Sequence, residues 1–351
     1  MGKINYIIIK ANGNCNLNCT YCYYTQHQLS EWKTAYNLDL LEITFKKIAD
    51  YTDIITICWH GGEPLLNGVD YFRKAIEIQR KYKLKVENNL QTNGTLINNE
   101  WAEFFKENNF SVGLSLDGNK ETHDLNRLKN NTSSYDKVLD GLNILIKHKV
   151  KHGVLCYANP DTDSVAIFRH FVQLGIRKID FMLPIISHHS NAEVDVEKVS
   201  NYFIQLFHEW FDLNNPNIKI RIFEDILSLL LGGKANNCLF KNQCGGFITI
   251  EPNGDIGICE NHRINGFENY LLNKNILHDN FISIENEAHI RNENINKLSN
   301  ECLNCNLLPW CNGGCSVERF FDGFKNINVY CRVYKNIFSN LAERIYVQPK
   351  K

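Results

Sequence analysis

Three thiols crowd into eight residues near the start of the chain, Cys15, Cys19 and Cys22, spaced C-x3-C-x2-C. They follow a short apolar run, Tyr6 to Ile9, that reads as a buried strand. Gly13 and Asn14 break that run, so the thiols fall on a loop at a strand's C-terminal end. Three clustered thiolates can hold an iron–sulfur cluster by three corners and leave one iron without a protein ligand. A structural metal site closes its coordination sphere, whereas a catalytic one keeps a position open. Taken alone, the loop also admits a zinc knot or a reactive thiol.

Composition favours metal over disulfides. Thirteen cysteines in 351 residues cannot pair completely. The N-terminus enters a strand directly, without the charged, apolar and small-residue order of a secretion signal, which points to the cytoplasm, where disulfides are rare. A net charge of −1 without a basic run argues against nucleic-acid binding. No apolar stretch approaches a membrane span.

From residue 4 to 184 the pattern is strand then helix, repeated. Strands are expected at 4–9, 54–59, 85–91, 110–116, 153–157 and 179–183. Between them, Val69, Phe72 and Ile76 share a helical face, as do Tyr135, Val138, Leu142 and Leu145. Ser133 with Asp136 reads as a capping box for the second helix. Such alternation predicts an α/β fold with a parallel sheet; six units favour a partial (β/α)6 TIM-like barrel over an open doubly wound sheet, which the same alternation also admits. The expected organisation is a barrel over 1–184, a helical bridge over 185–235 and a cysteine-rich region over 236–351.

The polar motifs all follow strands, the end of a barrel where catalytic residues collect. His60-Gly61-Gly62-Glu63-Pro64 follows the second strand and Asn93-Gly94 the third, and Ser115 to Gly118 ends the fourth. Each alone is also an ordinary turn. Behind the C-x3-C-x2-C loop with its Tyr21, they resemble the S-adenosylmethionine (SAM) pocket of the radical SAM enzymes. That resemblance implies an N-terminal [4Fe–4S] cluster on Cys15, Cys19 and Cys22. It implies SAM contacts from Gly61, Gly62, Glu63, Asn93 and Ser115, with Arg127 as carboxylate partner. Cys58 and Cys156, isolated within strands, read as core filling, and His60, His188 and His189 are assigned no metal.

Eight cysteines occupy the last third of the chain. Residues 247–251 and 256–259 read as a hairpin about Asn253-Gly254, placing Cys259 opposite Cys244. Ligand count alone leaves two zinc ions as good as two clusters. The order Cys244, Cys259, C-x2-C-x5-C-x3-C and Cys331 resembles the SPASM extension of radical SAM enzymes. The resemblance implies one auxiliary [4Fe–4S] cluster on Cys238, Cys244, Cys259 and Cys315. It implies a second on Cys302, Cys305, Cys311 and Cys331, for three clusters in all with SAM.

The architecture is similar to two groups. Maturases of ribosomally made peptides form thioether or carbon–carbon crosslinks; anaerobic sulfatase maturases oxidise Cys or Ser to formylglycine. Both act on a side chain held in a polypeptide. Sulfatase maturases carry a basic Asp after the cysteine matching Cys259, where this chain has Glu260, one methylene longer. With the segment Trp59 to Leu66, this favours the peptide-crosslinking reaction, with formylglycine formation as the alternative. A zinc-bound scaffold without redox chemistry is the reading from another class. Expected partners are a peptide substrate and an electron donor such as flavodoxin or ferredoxin. The chain starts at its first strand with no fused leader-binding domain before it, so a precursor peptide is expected to be held by the barrel and C-terminal region or by a separate leader-peptide-binding protein.

Overall fold

The computed structural model describes residues 3–22, 24, 28–184, 194–242, 244, 246–319 and 327–346. In chain order the strands are β1 (Tyr6–Asn12), β2 (Ile54–Gly61), β3 (Lys85–Thr92), β4 (Ser111–Ser115), β5 (Lys151–Tyr157), β6 (Lys178–Met182), β7 (Lys219–Ile220), β8 (Phe247–Ile250), β9 (Asp255–Gly257) and β10 (Leu271–Asn275). The longer helices are α1 (Leu38–Ala49), α2 (Val69–Lys81), α3 (Asn99–Glu107), α4 (Tyr135–Lys147), α5 (Ser164–Gln173), α6 (Val196–Leu213), α7 (Arg221–Leu230), α8 (Phe281–Ile295) and α9 (Cys331–Tyr346). Two compact units form. One takes residues 1–116, 123–153 and 245–293, and the other takes 117–122, 154–244 and 294–351.

In the first unit β1, β2, β3 and β4 run parallel in that order, joined by α1, α2 and α3. Local sequence caps two of these helices. Asn37 accepts from Leu40 N to cap α1, and Asn98 accepts from Trp101 N to cap α3. The apolar stripe of α2 buries Phe72 against Trp59 of β2, ring centres 5.3 Å apart, and against Trp101 of α3 at 5.4 Å. Such fully buried aromatics each contribute roughly 1.5–3 kcal/mol by apolar burial.

The six expected strands are present with ends moved by a few residues, and the α/β fold with a parallel sheet holds. Three details differ. β1 runs on past Ile9 to Asn12, which brings Lys10 into register with His60. The hairpin of β8 and β9 is present, but β8 also joins β1 in parallel, Ile9 opposite Ile250. No local periodicity marks that long-range pairing. The capping box is replaced: Ser133 Oγ donates to Asp124 (2.6 Å), and Ser134 occupies the cap position with its Oγ donating to the Arg127 carbonyl (2.7 Å). Tertiary acceptors outcompete the local one.

The second unit carries β5, β6 and β7 in parallel. The alternation thus continues past residue 184: two-residue β7 pairs with β6 and leads directly into α7. Two residues are too short to show a period of two. The C-terminal helix α9 packs on α6, with Asn336 donating to Ser200 (3.1 Å) and His208 bonded to Asn340 (2.9 Å). Among the described residues no helix is long and apolar enough to cross a membrane.

Candidate active site

The loop of Cys15, Cys19 and Cys22 is clamped from two directions. Gly62 N donates to the Asn12 carbonyl (2.7 Å) and Glu63 N to that of Asn14 (2.8 Å). A Cβ on Gly61 would stand 2.2 Å from the Asn12 oxygen, and one on Gly62 2.2 Å from the Asn14 oxygen. Gly61 also has φ +136°. The two glycines therefore let the end of β2 lie against the thiol loop. From the other direction, Asn18 N bonds the Leu128 carbonyl (2.9 Å) and Thr20 N that of Asn126 (3.0 Å). Leu17 N donates to Cys15 Sγ at 3.4 Å. Burial pushes the Cys15 thiol up to about 12; the Leu17 N–H opposes this, and Glu63, Cys19 and Cys22 add to it. Cationic iron would relieve that cost by binding the thiolate form.

Glu63 has no exposed surface. One carboxylate oxygen accepts from Leu65 N (3.0 Å) and Thr92 Oγ1 (2.7 Å), the other from Asn93 N (2.8 Å). Burial raises its carboxyl to about 7, and the bonds from Asn93, Leu65 and Thr92 pull it back. A carboxylate offers about four acceptor positions, so three donors leave room for one more, such as an ammonium. Asn93 ties its amide to Asn16 (2.8 Å), and its carbonyl oxygen accepts from Thr95 N (3.0 Å). The Arg127 guanidinium lies 5.3 Å from the centre of the Tyr21 ring, inside the thiol loop. Ser115 Oγ accepts from Gln91 of β3 (3.0 Å), at the end of β4. The structure thus gathers Gly61, Gly62, Glu63, Asn93 and Arg127 about the loop. Ser115 is tied instead to Gln91.

Glu260 sits at the edge of a second constellation. Lys10 forms an ion pair with its carboxylate, and Lys10 Nζ lies 3.2 Å from His60 Nδ1 and 4.5 Å from the Tyr24 ring centre. His60 Nε2 is 3.8 Å from Glu260. Burial, then the Lys10 charge, hold His60 well below its ordinary value, so it is neutral and accepts from Gly61 N (2.8 Å). Burial also draws Lys10 down to about 7, with Glu251 opposing, and contact with Glu260 favours the ammonium. Deeper in, Glu251 and Arg263 pair at 3.5 Å with no exposed surface. Tyr24 and Tyr270 donate to Glu251 (3.1 and 2.6 Å), and Arg263 stacks 4.3 Å from the Tyr24 ring. Glu260, 12% exposed, is the outermost charge of this set. Sequence reasoning missed Lys10, Glu251 and Tyr24. Their one signal was a lysine directly after an apolar strand run.

In the second unit Cys302, Cys305, Cys311 and Cys331 line one cavity of about 50 Å³. Burial raises the Cys311 thiol, and the charges of Cys305, Cys331 and Cys302 add to the shift. These are the four thiols expected to share one auxiliary cluster. An all-thiol donor set around one cavity fits such a group. Cys244 Sγ lies 2.7 Å from Ser316 Oγ, beside Cys315, and the Cys244 charge adds to the upward shift that burial gives Cys238. Cys259 belongs to the first unit, and Cys238, Cys244 and Cys315 to the second. Among the described residues no three His, Cys, Asp or Glu side chains converge on a single-ion site. Cys156 is buried and Cys58 half-buried; His188 and His189 lie outside the described residues.

Residues 9–171 match the model of the Radical SAM superfamily. The chain is 33% identical to the cysteine-type anaerobic sulfatase-maturating enzyme of Clostridium novyi (strain NT), over 99% of this chain and 98% of that one. It is 30% identical to the serine-type enzyme of Bacteroides thetaiotaomicron, over 96% and 89%. A solved structure of native anSMEcpe with bound AdoMet and Cp18Cys peptide superposes with a TM-score of 0.86 at 28% identity, over 97% of this chain and 99% of that one. The thiol loop, the strand-end motifs and the SPASM cysteines stand on a fold shared over nearly the whole length, and the chain belongs to the radical SAM superfamily, in the family of the anaerobic sulfatase-maturating enzymes.

Proposed function

We propose that this radical SAM enzyme oxidises a Cys or Ser side chain, held in a polypeptide, to formylglycine. Full-length similarity to the sulfatase-maturating enzymes reverses the order of preference drawn from sequence, where crosslinking came first. The observation that carries the proposal is the Glu260 carboxylate, partly exposed and held by buried Lys10 beside His60. Cys15, Cys19 and Cys22 would hold the cluster that binds SAM, with Gly61, Gly62, Glu63, Asn93, Ser115 and Arg127 as cofactor contacts. Cys238, Cys244, Cys259 and Cys315 would hold one auxiliary cluster, and Cys302, Cys305, Cys311 and Cys331 the other. When bound, these groups supply hydrogen-atom abstraction at the substrate side chain and a destination for the second electron.

What the chain itself supplies is the proton acceptor and its setting. Loss of a hydrogen atom and an electron brings the side chain to the aldehyde level and releases a proton, which Glu260 would take; from Cys, water then replaces the sulfur, which leaves as hydrogen sulfide. The contact with Lys10 fixes that carboxylate in place, and a base within about 2.6–3.2 Å of its proton contributes roughly 10²–10⁴-fold. The extra methylene of Glu260 relative to Asp favours a second reading, oxidative crosslinking within a ribosomally made peptide, because it moves the base by one carbon. A flavodoxin or ferredoxin would supply electrons. Reduced, reconstituted enzyme incubated with SAM and a Cys- or Ser-containing sulfatase peptide should give an aldehyde that a hydrazide probe traps. A crosslinked product without aldehyde, from a precursor peptide, would establish the second reading instead.

A further inference from the structure

Arg319 is 1% exposed and belongs to the second unit, as do Cys244, Cys302, Cys311 and Cys315. Nη1 donates to the carbonyls of Gly313 (3.2 Å) and Gly314 (2.8 Å), and Nη2 to Asn242 Oδ1 (3.1 Å) and the Ile295 carbonyl (3.0 Å). Among the described residues its buried Nε finds no hydrogen-bond partner. Asn312, Gly313 and Gly314 all have positive φ, +47°, +80° and +67°, which turns successive carbonyls toward the guanidinium. The turn they make runs from Cys311 to Cys315, one thiol from each expected auxiliary set. The charges of Cys244, Cys315 and Cys302 all act on Arg319. A fully buried cation with an unsatisfied donor, bonded to the turn that joins the two thiol sets, is costly unless a strong acceptor or negative charge faces it.

We propose that Arg319 sets the reduction potential of the auxiliary clusters, raising it with a buried positive charge while its fork fixes the turn that carries Cys311 and Cys315. A cluster bound by four thiolates is negative, and one-electron reduction adds a further negative charge. A nearby buried cation stabilises the reduced form more than the oxidised one, and hydrogen bonds to cluster sulfur act in the same direction. Arg319 thereby makes these clusters better acceptors for the electron that side-chain oxidation releases. The inference rests on the cluster assignment above. It does not depend on which polypeptide is oxidised.

The test is a redox titration of the anaerobically reconstituted holoenzyme, followed by electron paramagnetic resonance, with no substrate present. Arg319→Gln should lower the midpoint of at least one auxiliary signal by about 59 mV, a tenfold change in the ratio of oxidised to reduced cluster for a one-electron couple. Arg319→Lys keeps the charge and should stay near the wild-type midpoint. Asn242→Asp leaves the fork in place and sets a carboxylate against it, so it should shift the midpoint in the same direction as Arg319→Gln. Should Arg319→Gln fail to load iron, Asn242→Asp decides. Wild-type midpoints in the loaded neutralising variants, with at most a loss of iron, would overturn the proposal and leave Arg319 a purely structural clamp. Wild-type enzyme holding only about four iron atoms would overturn it together with the auxiliary-cluster assignment. Failure to find a substrate would alter neither result.

Discussion

At the scale of the residue, the site is governed by buried charge. Lys10 has no exposed surface and faces Glu260, with the Glu251–Arg263 pair behind it. Lys10→Met would leave a carboxylate without its cation, and breaking such a pair costs roughly 3–5 kcal/mol, readable as a lower urea midpoint. Glu63 gives a pH dependence. Its folded carboxyl is raised from 4.5 to about 7, so its contribution to stability is fully present below 4.5 and is lost as pH rises through 7. The shift corresponds to roughly 3 kcal/mol. Metal-free wild-type protein should therefore lose stability between pH 5 and 7 more steeply than Glu63→Gln, as urea unfolding across that range would show. Glu63→Gln should also be less stable at the start, because its amide must face a donor, Asn93 N or the Leu65 N and Thr92 hydroxyl pair. Sequence made Glu63 legible through the motif around it. Lys10 was not legible, because its importance comes from a register with His60 and a partner 250 residues away.

At the scale of the element, strand ends do the positioning. The run into β2 stops at Gly61 and Gly62 because the Asn12 and Asn14 carbonyls occupy the space a side chain would need. Gly62→Ala should therefore displace the thiol loop and leave the second-unit thiols untouched. Iron analysis should show a loss of about four of some twelve atoms per chain; unchanged iron would remove the glycine from this role. The same strand ends explain what the sequence made readable. Strands and amphipathic helices announce themselves by local period, so β1 to β6 were legible. The parallel pairing of β8 with β1 and the two-residue β7 were not, since neither leaves a periodic trace. The expected capping box failed for a related reason: Asp124 and the Arg127 carbonyl, brought near by the fold, took the Ser133 and Ser134 hydroxyls.

At the scale of the whole molecule, the cysteines fall into separate groups. Cys15, Cys19 and Cys22 stand beside the strand-end motifs of the first unit, and Cys302, Cys305, Cys311 and Cys331 surround their own cavity in the second. Spacing alone grouped Cys15, Cys19 and Cys22, whereas Cys331 was set with Cys302, Cys305 and Cys311 only through the resemblance to the SPASM extension, since Cys315 is much nearer to them in sequence. Anaerobic metal analysis should find about twelve iron atoms per chain, whereas two or three zinc ions without visible absorption would contradict a redox role. The central claim is that radical initiation and proton removal are separate tasks, with Glu260 carrying the second. It is tested most directly by measuring 5′-deoxyadenosine and oxidised peptide together in wild type and Glu260→Gln. Wild type should form the two in equal amounts, and Glu260→Gln should still form 5′-deoxyadenosine while oxidised peptide falls at least about 10²-fold. Equal amounts in the variant at the wild-type rate would contradict it.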